Sequence, residues 1–143
     1  MNILYFYALL ISFFWGILPI IYKVLLARLN NVTVMAITTI FYCILLFFLV
    51  IYNKNVVIQD LNKITINEYI WIFIATLFGV FISNLLYYYI LKKGEPAVLS
   101  ALMYTCPIIT LLGAHFILKD KINLRGIIGI LLIVIGVVCI CLK

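Results

Sequence analysis

The sequence has 143 residues, of which 69% are apolar, 15% aromatic and only 10% charged. Soluble domains contain about half apolar and about a quarter charged residues, so this composition cannot form a water-facing surface. It excludes a soluble enzyme, a nucleic-acid-binding domain and a disordered tail. Ten Lys and Arg against four Asp and Glu give a formal charge of +6. These charges stand between apolar runs, which is typical of an integral membrane protein.

Five apolar runs are long enough to cross a bilayer, which takes about 20 residues per helix. We predict an all-α membrane fold in a single domain, residues 1–143, with spans near residues 3–27, 33–52, 68–91, 96–118 and 126–142. The first run is predicted to be a span and not a signal peptide, because no Lys or Arg precedes it and no small-residue cleavage pattern follows. Asn67 is predicted to cap the third span. The longest polar stretch, residues 53–67, is predicted to be an interfacial segment.

The basic residues divide evenly between the two sides of the membrane that five spans imply. One side holds Lys54, Lys63, Lys119, Lys121 and Arg125, and the other holds Lys23, Arg28, Lys92, Lys93 and Lys143. Orientation is set by the Lys and Arg bias of short loops, and that bias is absent here. Two interpretations stay open: one loop dominates the orientation, or the protein inserts both ways up.

Helical spacing places the polar and small residues of the first and third spans on single faces. In span 1 this face consists of Ser12, Trp15, Gly16, Pro19, Tyr22 and Lys23. In span 3, the predicted close-packing row is Ala75, Gly79 and Ser83, with Asn84, Tyr87 and Tyr88 beside it. At its place near the end of span 1, Lys23 is predicted to extend its ammonium group to the interface.

Spans 4 and 5 carry similar faces. The span 4 face consists of Ala97, Ala101, Tyr104, Ile108 and His115, with Thr105 and Pro107 near mid-membrane. Span 5 has a glycine seam at Gly126, Gly129 and Gly136. Such glycine rows pack helices together more often than they bind substrates. The prolines Pro19 and Pro107 free backbone carbonyls, which membranes tolerate only against protein or a wet cavity.

The chemistry of an enzyme or a metal site is missing from the sequence. The four acidic residues, Asp60, Glu68, Glu95 and Asp120, all lie in loops or at helix ends. A single histidine cannot make a zinc site, and there is no phosphate-binding glycine loop. We therefore predict no catalytic residues, no metal and no cofactor. A proton-coupled pump usually keeps a buried carboxylate, so that mechanism would need Lys23 or His115 instead.

The order of these features resembles a known family. Trp15-Gly16 followed by Pro19 and Lys23 is similar to the start of an EamA-type domain of the drug/metabolite transporter superfamily. Residues 89–97 resemble that family's link between spans 3 and 4, residues 107–112 its span 4 core, and residues 126–138 its Gly-rich last span. The family commonly has a Gly-Glu pair where this sequence has Leu118-Lys119-Asp120, so Asp120 is a candidate substitute for the acidic residue.

The resemblance implies a transporter of small organic metabolites that works by alternating access. Most members carry two five-helix repeats of inverted orientation, whereas this sequence has one. The expected form is therefore an antiparallel homodimer. The even division of basic residues between the two sides suits such a pair. The implied partners are membrane lipids, a small-molecule substrate and an inverted copy or a related chain, without nucleic acid. The alternatives are a membrane scaffold or assembly protein without transport activity, and a subunit that works only with a different, oppositely oriented partner.

Spans 1, 3 and 4 are implied to line the substrate cavity. Aromatic faces and neutral hydrogen-bonding groups suit an amphipathic or zwitterionic substrate. The predicted substrate-binding residues are Trp15, Tyr22, Asn84, Tyr88, Tyr104 and Thr105, with Lys23 and His115 as second-rank candidates for an anionic group.

Overall fold

The described part of the chain is helical. The computed structural model describes residues 3–117, 119 and 123–141. The helices are α1 (Ile3–Leu26), α2 (Asn31–Tyr52), α3 (Lys54–Leu61), α4 (Ile66–Ala75), a π-helical segment (Thr76–Ile82), α5 (Ser83–Lys93), α6 (Pro96–Met103), α7 (Cys106–Ile117) and α8 (Leu124–Cys141). Three residues named in the predictions lie outside the described residues. They are Asp120, the candidate acidic substitute, and Lys121 and Lys143, which were counted among the basic residues.

Within the described residues, five helical stretches are long and apolar enough to cross a membrane. They are Ile3–Leu26, Asn31–Tyr52, Ile66–Lys93, Pro96–Ile117 and Leu124–Cys141. The predicted all-α fold with five spans is therefore confirmed. The third span is continuous from α4 through the π-helical segment into α5, whereas the fourth consists of α6 and α7.

The chain forms two compact units. One comprises residues 22–93, in which α5 packs against α2. The other comprises the described residues of 1–21 and 94–143, in which α6 packs against α8. Helix α1 belongs to the second unit as far as Ile21 and to the first from Tyr22 onward.

The third span begins with a capping box at Thr65, so the prediction that Asn67 caps it is wrong. The Thr65 side chain accepts a hydrogen bond from the backbone N–H of Glu68 at 3.4 Å, and the Glu68 carboxylate accepts one from the backbone N–H of Thr65 at 2.7 Å. This exchange satisfies two backbone donors at once, whereas Asn67 lies inside the first turn.

The middle of the third span is π-helical. The backbone N–H of Ser83 donates to the carbonyl of Phe78, five residues back, and its hydroxyl donates to the same carbonyl at 2.6 Å. A turn closed over five residues holds more residues than the 3.6 of an α-helix. The α-helical spacing that predicted the Ala75, Gly79 and Ser83 row therefore does not hold across this segment.

The fourth span is interrupted by a turn at Tyr104 and Thr105. Pro107 has no backbone N–H, and its ring clashes with the carbonyl four residues earlier, which is that of Met103. Helix α6 accordingly ends at Met103 and α7 begins at Cys106. The interruption lies eight residues after Pro96, or about 12 Å along the helix at 1.5 Å per residue. That is close to the middle of a hydrocarbon core about 30 Å thick.

Lys119, two residues after α7, has a φ angle of 57°. This is the left-handed backbone region, which glycine enters without strain and other residues rarely occupy. Lys119 therefore adopts a backbone conformation that glycine would adopt more easily. This agrees with the resemblance, in which the Gly of a Gly-Glu pair follows span 4.

Few side chains of the described residues are buried. The buried apolar ones are Leu26, Val34, Tyr88, Leu91 and Val137. Four of them belong to the unit of residues 22–93, where α1, α2 and α5 contribute them. Most other large apolar side chains are exposed, as expected where lipid replaces water as the solvent.

Candidate functional site

The predicted substrate-binding residues divide equally between the two units. The unit of residues 22–93 contains Tyr22, Lys23, Asn84 and Tyr88, and the other unit contains Trp15, Tyr104, Thr105 and His115. The structure brings Tyr22 and Tyr88 into direct contact, so the residues of the unit of residues 22–93 are described first and those of the other unit separately.

Three tyrosines from α1 and α5, Tyr22, Tyr87 and Tyr88, form an aromatic cluster that we call the tyrosine cluster. The ring centroids of Tyr22 and Tyr88 are 5.0 Å apart with an interplanar angle of 85°, and those of Tyr22 and Tyr87 are 6.4 Å apart at 81°. Tyr87 and Tyr88 are 5.6 Å apart. These distances and the edge-to-face angles are those that aromatic pairs prefer. Tyr88 is only 4% exposed, whereas Tyr22 and Tyr87 are half-buried.

Thr38 of α2 fixes the hydroxyl of Tyr88. The two side-chain oxygens are 3.4 Å apart, and the Thr38 hydroxyl also lies 2.9 Å from the Val34 carbonyl and 3.0 Å from the Met35 carbonyl. A threonine hydroxyl has one proton, and the carbonyls of its own helix take it. Tyr88 therefore donates its proton to Thr38, which links α5 to α2 at the cluster. Thr38 was not among the predicted site residues, and the sequence does not distinguish it from its neighbour Thr39.

Two lysines join the ends of α1 and α5 in an arrangement that we call the lysine clasp. The Lys23 ammonium donates to the carbonyl of Leu91 at 2.8 Å and to that of Lys92 at 3.1 Å. In return, the Lys92 ammonium donates to the Leu29 carbonyl at 3.3 Å, just beyond α1. The last carbonyls of a helix lack backbone partners and carry partial negative charge, so cations stabilise them. The Lys23 ammonium thus caps α5, and its predicted contact with an anionic substrate group stays a prediction.

Asn84 lies on the same face of α5 as the tyrosine cluster. It precedes Tyr87 and Tyr88 by three and four residues, and this spacing makes side chains neighbours on a helix surface. The Asn84 side chain is half-buried. It is the second residue of α5, the helix that directly follows the π-helical segment. An amide that can both donate and accept therefore adjoins an aromatic surface.

In the other unit, the predicted residues are spread along three positions. Tyr104 and Thr105 form the turn between α6 and α7, where Tyr104 is 40% exposed and the Thr105 hydroxyl donates to the Leu102 carbonyl at 2.8 Å. Trp15 of α1 is 61% exposed. His115 lies in the last turn of α7, with its ring 5.3 Å from that of Phe116.

The candidate site offers aromatic surface and neutral hydrogen-bonding groups. Within the described ranges, no group of three or more His, Cys, Asp and Glu side chains could hold a metal ion. Hydroxyl, amide and ring groups can bind and orient a solute, but they do not form the nucleophile and general-base pair of a hydrolytic centre.

Comparison with known proteins assigns the chain to a family. The EamA-like transporter family matches residues 2–142, so this chain belongs to that family of membrane transporters. It is 29% identical over 130 residues to an uncharacterized transporter of Haemophilus influenzae, an alignment that covers 91% of this chain and 41% of that protein. It is also 29% identical over 130 residues to an uncharacterized protein of Methanocaldococcus jannaschii, with 91% and 90% covered. The chain thus spans about two fifths of the length of the Haemophilus relative. No solved structure matches.

Proposed function

We propose that this EamA-family chain transports small organic metabolites by alternating access, as an antiparallel homodimer. The observation that carries the proposal is the interrupted fourth span within a five-span transporter domain. Transporters commonly bind their substrates near the midplane, where helices are discontinuous and backbone groups become available. Tyr104 and Thr105 stand at such a discontinuity.

We propose Tyr22 and Asn84 as substrate contacts on the first and third spans, with Tyr88 holding the Tyr22 ring in place. Tyr22 and Asn84 are half-buried and so retain surface for a solute, whereas Tyr88 is almost fully covered and bonded to Thr38. Trp15, Tyr104 and Thr105 are the proposed contacts in the other unit. Lys23 and His115 are kept as second candidates for an anionic group.

The glycine seam of α8 supports pairing with another chain. At Gly126, Gly129 and Gly136, an added Cβ would meet no described atom within 4 Å apart from the local backbone. Glycines that bring helices together are closely approached by a neighbour. The described residues supply no such neighbour here, and in the proposed homodimer the second chain supplies it. The even division of basic residues fits a copy of inverted orientation.

The first experiment is the orientation of the C-terminus, measured with paired reporters that are active only on opposite sides of the membrane. Signal from both reporters is expected for a chain that inserts both ways up. Signal from one reporter alone rejects the antiparallel homodimer and favours a different partner chain or a scaffold. Uptake by vesicles that contain only this chain then tests the homodimer directly, since neither a scaffold nor a subunit that needs a different partner gives flux there.

The substrate contacts are tested by Asn84→Leu. This change keeps the side-chain size but removes the amide, so it is expected to abolish uptake while membrane insertion is unchanged. Thr76→Val is the matched control, because Thr76 lies in the same span and its hydroxyl donates to its own helix, to the Ile72 carbonyl at 2.8 Å. Uptake is measured across a panel of labelled amino acids, nucleosides and sugars. Unchanged kinetics in Asn84→Leu would remove Asn84 from the site.

A further inference from the structure

Helix α3 is a short amphipathic helix between two spans. At 100° per residue, Val57, Ile58 and Leu61 lie on one side, while Asn55, Gln59 and Asn62 lie on the other. On the apolar side, Ile58 is 55% exposed and Leu61 is 52% exposed. An exposed apolar face on a helix with a polar opposite face suits a boundary between an apolar and an aqueous medium.

The flanking spans fix the depth of α3. Only Asn53 separates its first residue, Lys54, from Tyr52 at the end of the second span, and the third span begins at Ile66. Both flanking residues are strongly exposed, Tyr52 at 87% and Ile66 at 78%. The helix has eight residues, or about 12 Å at 1.5 Å per residue, which is far too short to cross the bilayer. It therefore starts at the depth of the membrane surface.

Helix α3 is also a separate helix and not the continuation of α2. Asn53 has φ −103° and ψ 23°, values outside the α-helical region. Its backbone N–H still donates to the Leu49 carbonyl at 3.0 Å, while its own carbonyl accepts from the backbone N–H groups of Val56 and Val57 at 3.1 Å. The second span thus ends at Tyr52, and Asn53 caps both its end and the start of α3. A helix that simply projected into water would need neither this interruption nor an apolar face.

From these observations we infer that the apolar face of α3 is occupied by the lipid bilayer, in the headgroup and upper acyl region. Val57, Ile58 and Leu61 enter the acyl boundary, and Gln59 and Asn55 face water. Lys54 starts the helix on its apolar side, and its long stem lets the ammonium group reach lipid phosphates. The helix then lies along the membrane surface between the second and third spans. This inference does not depend on transport or on pairing.

The test is depth-dependent quenching of single tryptophans in the full chain. Trp15 and Trp71 are replaced by Phe, and tryptophan is introduced as Leu61→Trp or, as its matched control, Gln59→Trp, which lies about 160° away around the helix. Each protein is placed in phosphatidylcholine nanodiscs, where both membrane faces are open to buffer whatever the orientation. Acrylamide quenches from water, and phosphatidylcholine brominated near the headgroup end of its acyl chains quenches from the boundary.

For Leu61→Trp we expect strong quenching by the brominated lipid and an acrylamide quenching constant about threefold lower than for Gln59→Trp. Equal quenching of both variants by acrylamide, without lipid quenching, would show that α3 projects into water and would overturn the inference. Protection of Leu61→Trp from both quenchers would show that protein covers the face, which also overturns it. Ile58→Trp repeats the measurement on the same face, in case Leu61→Trp does not give a monodisperse, helical protein.

Discussion

Replacing Lys23 by Met tests whether the lysine clasp stabilises the unit of residues 22–93. Met has a long unbranched side chain, so the apolar stem of Lys23 is largely retained. The ammonium group is lost, and with it the hydrogen bonds to the carbonyls of Leu91 and Lys92. The bond from Lys92 back to the Leu29 carbonyl does not depend on this ammonium and remains.

The expected loss follows from the two bonds and their surroundings. Hydrogen bonds to charged groups contribute about 1.5–3 kcal/mol when well formed. The bond to Leu91 is partly buried and the bond to Lys92 is exposed, so the second adds little. Measured hydrogen bonds between helices of membrane proteins average about 0.6 kcal/mol, because the unfolded chain in the membrane also finds partners. We therefore expect Lys23→Met to lower the free energy of unfolding by about 1–2 kcal/mol.

The loss is measured by titrating the full chain in non-ionic micelles with dodecyl sulfate and following helicity by circular dichroism. Lys63→Met is the matched control, because Lys63 is exposed and follows α3 outside the clasp. It is expected to change the free energy of unfolding by less than about 0.5 kcal/mol. If Lys23→Met unfolds at the same detergent fraction as the unchanged protein, or if Lys63→Met is equally destabilised, the clasp does not stabilise the fold.

Three further changes test other features. Tyr88→Phe removes the hydrogen bond to Thr38 and should lower the free energy of unfolding by about 0.5–1 kcal/mol in the same titration, whereas no loss would mean that the 3.4 Å contact contributes nothing. Lys119→Gly should raise it by about 1 kcal/mol, because glycine enters the left-handed region without strain, and a loss would contradict that reasoning. Pro107→Ala restores the missing backbone N–H, so α6 and α7 should join into one helix and uptake should fall. Spin-label distances across the turn measure the joining of the helices, and uptake kinetics measure the loss of transport. Unchanged uptake would argue against a role for the interruption.

The five spans were predictable from the sequence because the length and apolarity of each run decide them. The cap of the third span was open to the same reasoning. Thr65 stands three residues before Glu68, which is the spacing of a capping box, and the prediction of Asn67 overlooked it.

Features that depend on how helices face each other were harder to predict from the sequence. Tyr22 and Tyr88, which are in contact, were both among the predicted substrate-binding residues. Thr38, the partner of Tyr88, could not be identified from the sequence, because packing sets the rotation of α2 about its axis. Pro107 indicated freed carbonyls in the fourth span, and the structure adds that α6 ends at Met103 and a separate helix, α7, begins at Cys106. The π-helical segment contains no proline or other local sequence pattern from which it could have been predicted.

The turn in the fourth span also affects how the protein meets membranes of different thickness. It leaves two short rods, α6 of eight and α7 of twelve residues. A straight span adjusts to a thinner or thicker bilayer by tilting along its whole length. Two rods joined at Tyr104 and Thr105 can tilt separately, so mismatch at one leaflet is absorbed by one rod while the other keeps its angle. We therefore expect a change in acyl-chain length to alter the angle at this joint before it tilts the whole span.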